Sequence, residues 1–499
     1  MTLTVRDLPR LKEMGVKVPK FDRYQVTPGV VHIGPSHFAR GHVLRFFNRI
    51  LKDDLRWGVR AISLQTPNVR DTLREQDYLY TVSEQRADKV KSRVIGSLID
   101  VTVAQEDPRA ALDVLCDPQI KLVTITVTQN GYGHDPATGN LDFSRSDIQE
   151  CLSNMDAPST TVGYLVAALE RRMKEGAPPL TIMSCDNMPD NGVVLRNVVL
   201  TYAAEKSREL RSYIEDNITF PSTMVDRIVP TTTNTDVFNV KGKGIEDEWP
   251  ILTERFKQWV IEDNFAGEVP DFASAGAIVT NNVASYELMK LRMLNGAHMA
   301  LGCVAGLAGE KYVDEAMQNL QLKKFIQGFM DEASLTVPRI EGVDFRLYKE
   351  QLIERLENPH MKDELVRLAR NGTGKIKGRV LDTLIDAKAS EIPHEHLSFA
   401  TASWVQYLKG YDDRGSFIDI NDSKAIDTGL QRIAQNSNGN PLPIMEASGL
   451  FRSLTKDQVF VRDVQRHLHN IQRHGVLGAL NRIGVPEIKR QRQMGTQIS

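Results

Sequence analysis

Apolar residues in the first half of the chain fall into short β-branched runs, separated by longer stretches where they recur every three or four positions. That alternation predicts strands joined by covering helices, and hence a parallel sheet. Val30-Val31-His32-Ile33-Gly34 reads as a buried strand that stops at glycine, followed by a helix over about 38–52. Residues 59–64 (VRAISL) predict the second strand and 67–75 the next helix. The almost continuous apolar runs 122–127 (LVTITV) and 180–185 (LTIMSC) suit strands covered on both faces. Residues 193–216 predict one long amphipathic helix, and 217–230 (NITFPSTMVDRIVP) a strand or loop.

From about Ser285 the strand signal fades and helix formers dominate. Helices are predicted over 287–307, 312–335, 348–356 and 360–370, and onward to the end. The change of texture places a domain boundary near 280–286. No repeat with a fixed period of roughly 20–50 residues interrupts either half.

Composition narrows the class. At 499 residues the chain exceeds one ordinary core and suggests two or three domains. Lys and Arg (62) nearly balance Asp and Glu (64), so there is no overall basic excess with which to neutralise nucleic-acid phosphates. The basic end (Lys489, Arg490, Arg492) reads as a solvated tail. The longest nearly apolar run, Met299 to Gly309, is far short of the roughly 20 residues that span a bilayer, and the N-terminus lacks the apolar stretch of a signal peptide. The four cysteines (Cys116, Cys151, Cys185, Cys303) form no local pair, which fits a reducing cytoplasm. The 11 histidines form neither HExxH nor a His/Cys cluster, so no metal is expected. The His394–His396 and His467–His469 pairs read as surface or helix-end residues.

The first strand ends in Gly34-Pro35-Ser36-His37-Phe38-Ala39-Arg40, where a dinucleotide-binding fold sets its glycine-rich turn. There, backbone N–H groups and a helix start meet a pyrophosphate. Only Gly34 remains of a GxGxxG pattern, and a tight turn that binds nothing is the alternative. The second strand ends without the acidic residue that usually accepts from ribose hydroxyls, there being no acid before Asp71. Gln65 or Asn68 can serve the ribose instead, while Arg70 offers a partner to a 2′-phosphate and leaves NADP open.

The segment 285–298 (SYELMKLRMLNGAH) concentrates candidate chemistry. At 100° per residue, Glu287, His298 and Asn295 lie about 60°, 80° and 140° from Lys290, on one arc of an otherwise apolar helix. A lysine buried in a cleft between domains loses solvation, and its pKa falls from about 10.4 toward the working range. The neutral amine then removes a hydroxyl proton, while Asn295 donates to the oxygen as its charge develops. The alternative is a surface face with an i,i+3 pair between Glu287 and Lys290. Tyr286-x-x-x-Lys290 also matches the YxxxK of short-chain dehydrogenases. It sits too late, after the whole sheet, and reads as coincidence.

Several blocks together resemble the polyol-specific long-chain dehydrogenase/reductase family, which holds mannitol 2-dehydrogenase and fructuronate reductase. They are VHIGPSHFARGH (31–42), TITVTQNGYGHDPATGNLD (124–142), TIMSCDNMPDNG (181–192), FPSTMVDRIVP (220–230), QWVIEDNF (258–265) and YELMKLRMLNGAH (286–298). The resemblance runs from about Gly29 to Arg482. It implies metal-independent hydride transfer between NAD(H) and a secondary alcohol or ketone. By position, the catalytic lysine is Lys290, the oxyanion-binding asparagines are Asn187 and Asn295, and the substrate-orienting histidine is His298. Glu287 falls at the glutamate of a proton-release channel, and Asp226, Arg367 and Lys375 at polyol contacts. Cofactor contacts fall on Ile33, Gly34, Ser36, Phe38, Gln65, Asn68 and Thr128. From the residues alone, Asn187 follows a strand C-terminus where open sheets hold ligands, and capping the next helix is its ordinary alternative. Ser36 and Gly41 depart from the family's IGxGxFxRAH pattern, Pro35 is unusual there too, and Pro67 and Asn68 stand where an acidic pair is common.

The resulting expectation is an α/β protein. A Rossmann-like doubly wound parallel sheet over 1–285 binds the dinucleotide, and a mainly α-helical domain over 286–499 binds substrate and carries the catalytic residues. The activity expected is an NAD(P)-dependent oxidoreductase, cytoplasmic and monomeric or weakly homo-oligomeric, with no nucleic-acid or membrane partner. Mannitol/fructose is the preferred substrate pair. The alternatives are fructuronate reductase or another sugar-acid or pentitol dehydrogenase, and, more distantly, an inactive nucleotide sensor.

Overall fold

Hydrogen bonding between the β-branched runs builds a six-stranded sheet in the computed structural model, which describes residues 2–85, 89–154 and 157–483. Its strands are β1 (Pro28–Ile33), β2 (Gly58–Ser63), β3 (Leu98–Val103), β4 (Leu122–Ile125), β5 (Leu180–Ser184) and β6 (Ile218–Thr219). They lie in the order β3-β2-β1-β4-β5-β6 with every neighbour parallel. This is the doubly wound order 3-2-1-4-5-6. The chain leaves β1 toward β2 on one side and later returns to β4 on the other, so the order reverses between β1 and β4. Crevices at the C-terminal ends of such strands are where open sheets take ligands.

Alternate residues serve opposite faces, and both faces are covered. Val31, Ile33, Val123 and Ile125 pack with Tyr132, Leu165 and Leu195 on one side. Val30, Leu122 and Met183 pack with Phe46, Phe47, Trp259 and Phe272 on the other. Two smaller sheets accompany the main one. The hairpin Tyr80–Gln85/Val90–Ile95 takes Ile251–Glu254 as a parallel partner. Gln258–Glu262 pairs antiparallel with Thr223–Asp226 and parallel with Ile278–Thr280. The hairpin and β3 are not among the elements predicted from the sequence; VKSRVI has three consecutive polar positions and half-exposed residues there, and β3 forms as an edge strand on β2.

Three predicted helices are broken. The expected 38–52 helix is two, His37–Gly41 and Val43–Ile50, with His42 between them at φ −119° and ψ −74°. The expected 193–216 helix divides into Asn191–Lys206 and Arg208–Asn217. Ser207 turns to an extended backbone there, and its hydroxyl accepts from Leu210 N at 3.0 Å, as an N-cap does. Asn319 likewise divides the expected 312–335 helix into Val313–Gln318 and Leu320–Ser334. Of the expected 360–370 helix only Leu365–Ala369 forms.

The chain separates into two compact units, Met1–Glu287 and Leu288–Ser499. Every named strand among the described residues ends by Thr280. In the second unit the Gly296–Leu307 helix packs against Leu365–Ala369 and Glu395–Tyr407, and the latter packs along Gln458–Leu480. His394 and His396 do sit at a helix start, and His396 Nδ1 lies 2.7 Å from Glu332 Oε1. His467 is a correction: it is 1% exposed inside the Gln458–Leu480 helix, because that face lies against Phe399 and Glu395. All four cysteines are buried and unpaired. Among the described residues no helix is long and apolar enough to cross a membrane, and no cluster of three or more His, Cys, Asp or Glu could hold a metal. Lys489, Arg490 and Arg492 lie outside the described residues.

Candidate active site

The turn after β1 is closed by backbone on backbone. Gly34 has φ +85°, and a Cβ there would stand 2.3 Å from Thr126 O, so glycine alone fits. Its carbonyl accepts from Thr126 Oγ1 at 2.7 Å. Ser36 caps the next helix, its hydroxyl accepting from Ala39 N at 3.2 Å. Ile33 is the last residue of β1 and fully buried. Phe38 stacks on His42 at 5.1 Å. Behind the turn, His32 Nε2 lies 3.1 Å from Gly34 O, which fixes that nitrogen as the donor, and Nδ1 lies 2.8 Å from Thr124 Oγ1. Complete burial lowers its pKa to about 4 and keeps the ring neutral.

The loop after β4 is fixed from the next strand. Asp186, just past β5, accepts from Val127 N at 2.9 Å and Thr128 N at 3.1 Å, and from the Tyr132 hydroxyl at 2.6 Å. Burial raises its pKa, and these three donors oppose the rise. Thr128 is held at φ +66°, a conformation that favours glycine, with its side chain exposed. The loops after β1, β4 and β5 thus form one hydrogen-bonded edge carrying Gly34, Ser36, Thr128 and the exposed Asn187. Asp226 is joined to the same edge. Its strand begins at Thr223, whose hydroxyl donates to Ser184 O at 2.6 Å and whose backbone is gripped on both sides by the Asn191 amide. Asp226 itself is 5% exposed.

Gln65 and Asn68 are exposed in the turn after β2, which Ser63 closes by donating to Thr66 O at 2.6 Å. Arg70, the candidate partner for a 2′-phosphate, is engaged by Glu106 and by Asp71 at 2.7 Å. Those two ion pairs hold its guanidinium charge without a phosphate.

In the second unit, Lys290–Asn295 is a π-helical segment between the α-helices Val283–Met289 and Gly296–Leu307. Gly296 N donates to Leu291 O, five residues back. This corrects the ideal-helix placement: the wheel of 100° per residue does not hold across a wider turn, and Asn295 falls closer beneath Lys290 than α geometry puts it. Lys290 is 7% exposed. Asn295 and His298 are half-buried, and Glu287, the last residue of the first unit, is likewise half-buried. A second π-helical segment, Lys377–Leu381, approaches the first so closely that a Cβ on Gly296 would lie 2.7 Å from Arg379 O.

Arg367 and Lys375 sit on elements packed against the helix that carries His298. Gly302 lets the Leu365–Ala369 helix approach, and Gly372 sets the next one against Met299 and Trp404. Arg367 pairs with Asp363, and Lys375 Nζ donates to Arg370 O at 2.5 Å. Burial lowers the Lys375 pKa, with Arg379, Arg367 and Arg370 adding to the effect and Asp422 opposing it. Arg379 is pushed down to about 10 by burial and by Arg367. No carboxylate pairs with it among the described residues.

The sequence pattern sets Asp186 beside Asn187 at a strand end without giving it a role, and singles out neither Thr126 nor Arg379. The position of Asp186 directly after a strand and before Asn187 was a signal for it. The density of cations in NGTGKIKGR (371–379) was one for Arg379.

Residues 28–274 match the family model for the mannitol dehydrogenase Rossmann domain, and 282–472 that for the mannitol dehydrogenase C-terminal domain. Mannitol 2-dehydrogenase of Emericella nidulans is 37% identical over 476 residues, covering 93% of this chain and 94% of that one. The mannitol 2-dehydrogenase of Aspergillus fumigatus is 36% identical over 498 residues, covering 96% and 98%. Among solved structures, a D-sorbitol dehydrogenase in substrate-free form superposes with a TM-score of 0.90 at 30% identity, covering 96% of this chain and 100% of that one. Mannitol 2-dehydrogenase of Pseudomonas fluorescens, in a ternary complex with NAD and D-mannitol, gives 0.80 at 31% identity, covering 96% and 99%.

Proposed function

The chain belongs to the mannitol dehydrogenase family, and from that premise we propose that it is an NAD-dependent oxidoreductase acting on a secondary alcohol of a linear polyol, with mannitol/fructose as its preferred pair. The residues of the first unit fit a dinucleotide. The strand order reverses at β1 and β4, Gly34 keeps the turn free of a side chain, and the exposed Ser36, Gln65, Asn68 and Thr128 surround that edge. Ile33 and Phe38 complete the proposed cofactor contacts. The occupied charge of Arg70 favours NAD over NADP, since a 2′-phosphate would have to displace Glu106 or Asp71.

The observation that carries the catalytic reading is Lys290, a nearly buried amine at the head of a π-helical turn that also carries Asn295. π-helical turns interrupt α-helices often at functional sites. Lost solvation favours the neutral amine, which takes the proton of the substrate hydroxyl. NAD(H) accepts or supplies the hydride. Asn187 and Asn295 donate to the substrate oxygen as charge develops on it, His298 fixes the reacting hydroxyl, and Glu287 passes the proton on to solvent. Asp226, Arg367 and Lys375 hold the remaining hydroxyls. In this reading residues 1–285 form the dinucleotide-binding domain, which also lends Asn187 and Asp226 to the substrate, and 286–499 form the helical substrate-binding and catalytic domain. The protein works in the cytoplasm as a monomer or weak homo-oligomer, without nucleic-acid or membrane partners.

A sugar-acid substrate is the second reading, favoured by the uncompensated Arg379 beside Arg367 and Lys375, since a guanidinium recognises a carboxylate directly. Steady-state assays with mannitol, arabinitol, sorbitol, fructuronate and tagaturonate, each with both cofactors, separate the two. The polyol reading expects oxidation of mannitol with NAD and a loss of 10²–10⁴-fold in Lys290→Ala, about what a general base contributes, with NADH binding retained. Turnover of the uronates alone would hand the site to the second reading. An unchanged rate in Lys290→Ala would remove the amine from the mechanism.

A further inference from the structure

Away from the β1 turn, the first unit holds a cleft of about 740 Å³, a size suited to a small-molecule ligand. Lys12, Lys17 and Lys20 line it from the N-terminal arm, Arg45, Arg49 and Lys52 from the Val43–Ile50 helix and just beyond it, and Arg93 from the Val90–Ile95 strand. No Asp or Glu lines it among the described residues. A helix between parallel strands runs back across the sheet, so the C-terminal end of this one lies at the opposite edge from Gly34.

Helix ends attract cations, and the carbonyls at the end of Val43–Ile50 account for Arg49 and Lys52. They do not account for three lysines delivered from an unrelated segment, nor for Arg45. The Arg45 side chain is 7% exposed, and its Nε has no hydrogen-bond partner among the described residues. Burial and the facing Arg93, Arg227 and Arg49 lower its pKa to about 10, with Glu84 alone opposing. Glu84 is already committed to Arg227 at 3.0 Å, and Lys257 crowds the same carboxylate. Burying a guanidinium without an anion is costly, and a concave wall of one sign focuses its field outward into the opening. In a chain with a net charge of −2, this is a local concentration that the overall balance hides.

We propose that this cleft is a binding site for a small polyanion carrying at least two phosphoryl groups, with Arg45 and Arg93 at its floor and Lys12, Lys17 and Lys20 at its rim. The cations come from three separate elements around one concave volume. That arrangement fits several phosphates on one small molecule better than the continuous backbone of a nucleic acid. The site is independent of the redox reaction and takes its ligand at the far edge of the sheet.

Inorganic tripolyphosphate is the probe, titrated by calorimetry into the full chain saturated with NADH so that the dinucleotide edge is already filled. One equivalent should bind, more weakly as salt rises. The double variant Lys17→Glu/Lys20→Glu, at exposed positions, should weaken binding at least tenfold and leave NADH affinity and mannitol turnover unchanged. Arg45→Met should abolish it, with circular dichroism reporting whether that variant folds. Failure of tripolyphosphate to bind would overturn the site. So would binding that competes with NADH, or binding indifferent to Lys17→Glu/Lys20→Glu. Tight binding of a DNA duplex without tripolyphosphate binding would overturn the ligand class.

Discussion

Two glycines do the same job in different architectures. Gly34 lets the turn after β1 touch the loop after β4, where a Cβ would stand 2.3 Å from Thr126 O. Gly296, directly after one π-helical segment, lets the chain touch the other, where a Cβ would stand 2.7 Å from Arg379 O. The first contact lies in a sheet edge locked by hydrogen bonds: Thr126 Oγ1 to Gly34 O, then Asp186 to the amides of Val127 and Thr128. The second lies between helices whose own ladders have been widened to i→i+5 bonding. A close approach can therefore be fixed by carboxylates and hydroxyls reaching between loops, or by displacing the register of a helix. The former uses polar side chains as struts. The latter works through the backbone's own hydrogen-bond register.

The two contacts differ most in what a single methyl group would do to each. Gly34→Ala meets both a backbone carbonyl and a φ of +85°, so it should cost about 3 kcal/mol of stability and weaken NADH binding more than tenfold. A urea titration and NADH fluorescence read the two effects, and a variant with normal NADH affinity would show that this turn does not cradle the cofactor. Gly296→Ala should cost less, about 2 kcal/mol as for ordinary overpacking. Its signature should be in turnover: a drop in kcat of tenfold or more, with NADH affinity unchanged, because the displaced segment carries Lys290 and Asn295 and not the dinucleotide residues. Equal losses of NADH affinity and kcat would erase the distinction drawn between the two regions.

Acid is the gentlest probe. His32, bonded behind the Gly34 turn, titrates near 4 when folded against its ordinary 6.5. Between those values the unfolded chain binds the extra proton. The stability this provides is complete above about 6.5 and is lost as pH falls toward 4. From pH 7 to 5.5 the loss from this residue alone is about 1 kcal/mol. His467, buried in the second unit, is also lowered to about 4 and has the same sign. His37 is lowered to about 4 as well, by burial and by Arg40, so urea midpoints at the two pH values measure the sum, of which His32→Asn should remove one part. A dependence unaltered in that variant would mean that His32 is not buried as a neutral ring.

Much of the first unit was legible because its physics is local. A run such as LVTITV has to be covered on both faces, and a strand ending at Gly34 marks a turn wherever it occurs. VKSRVI, with Lys, Ser and Arg in succession, owes its strand to its antiparallel partner rather than to its own pattern. Candidate side chains such as Lys290, Asn295 and His298 were visible as polar positions on an apolar helix. Their spacing was misjudged, because an i→i+5 turn adds no distinct period to the sequence.

What the chain's own order of residues determined is the alternation of strand and helix up to Thr280, the helical remainder, and the segment holding the candidate base. Tertiary structure alone decided the π-helical register at Lys290, the clamp of Asp186 on the neighbouring loop, and the basic cleft assembled from Lys17, Arg45 and Arg93. The reason is separation along the chain. A pattern is read from neighbours within a few positions, whereas a close approach of two backbones or a concentration of like charge depends on segments tens of residues apart, brought together only by packing.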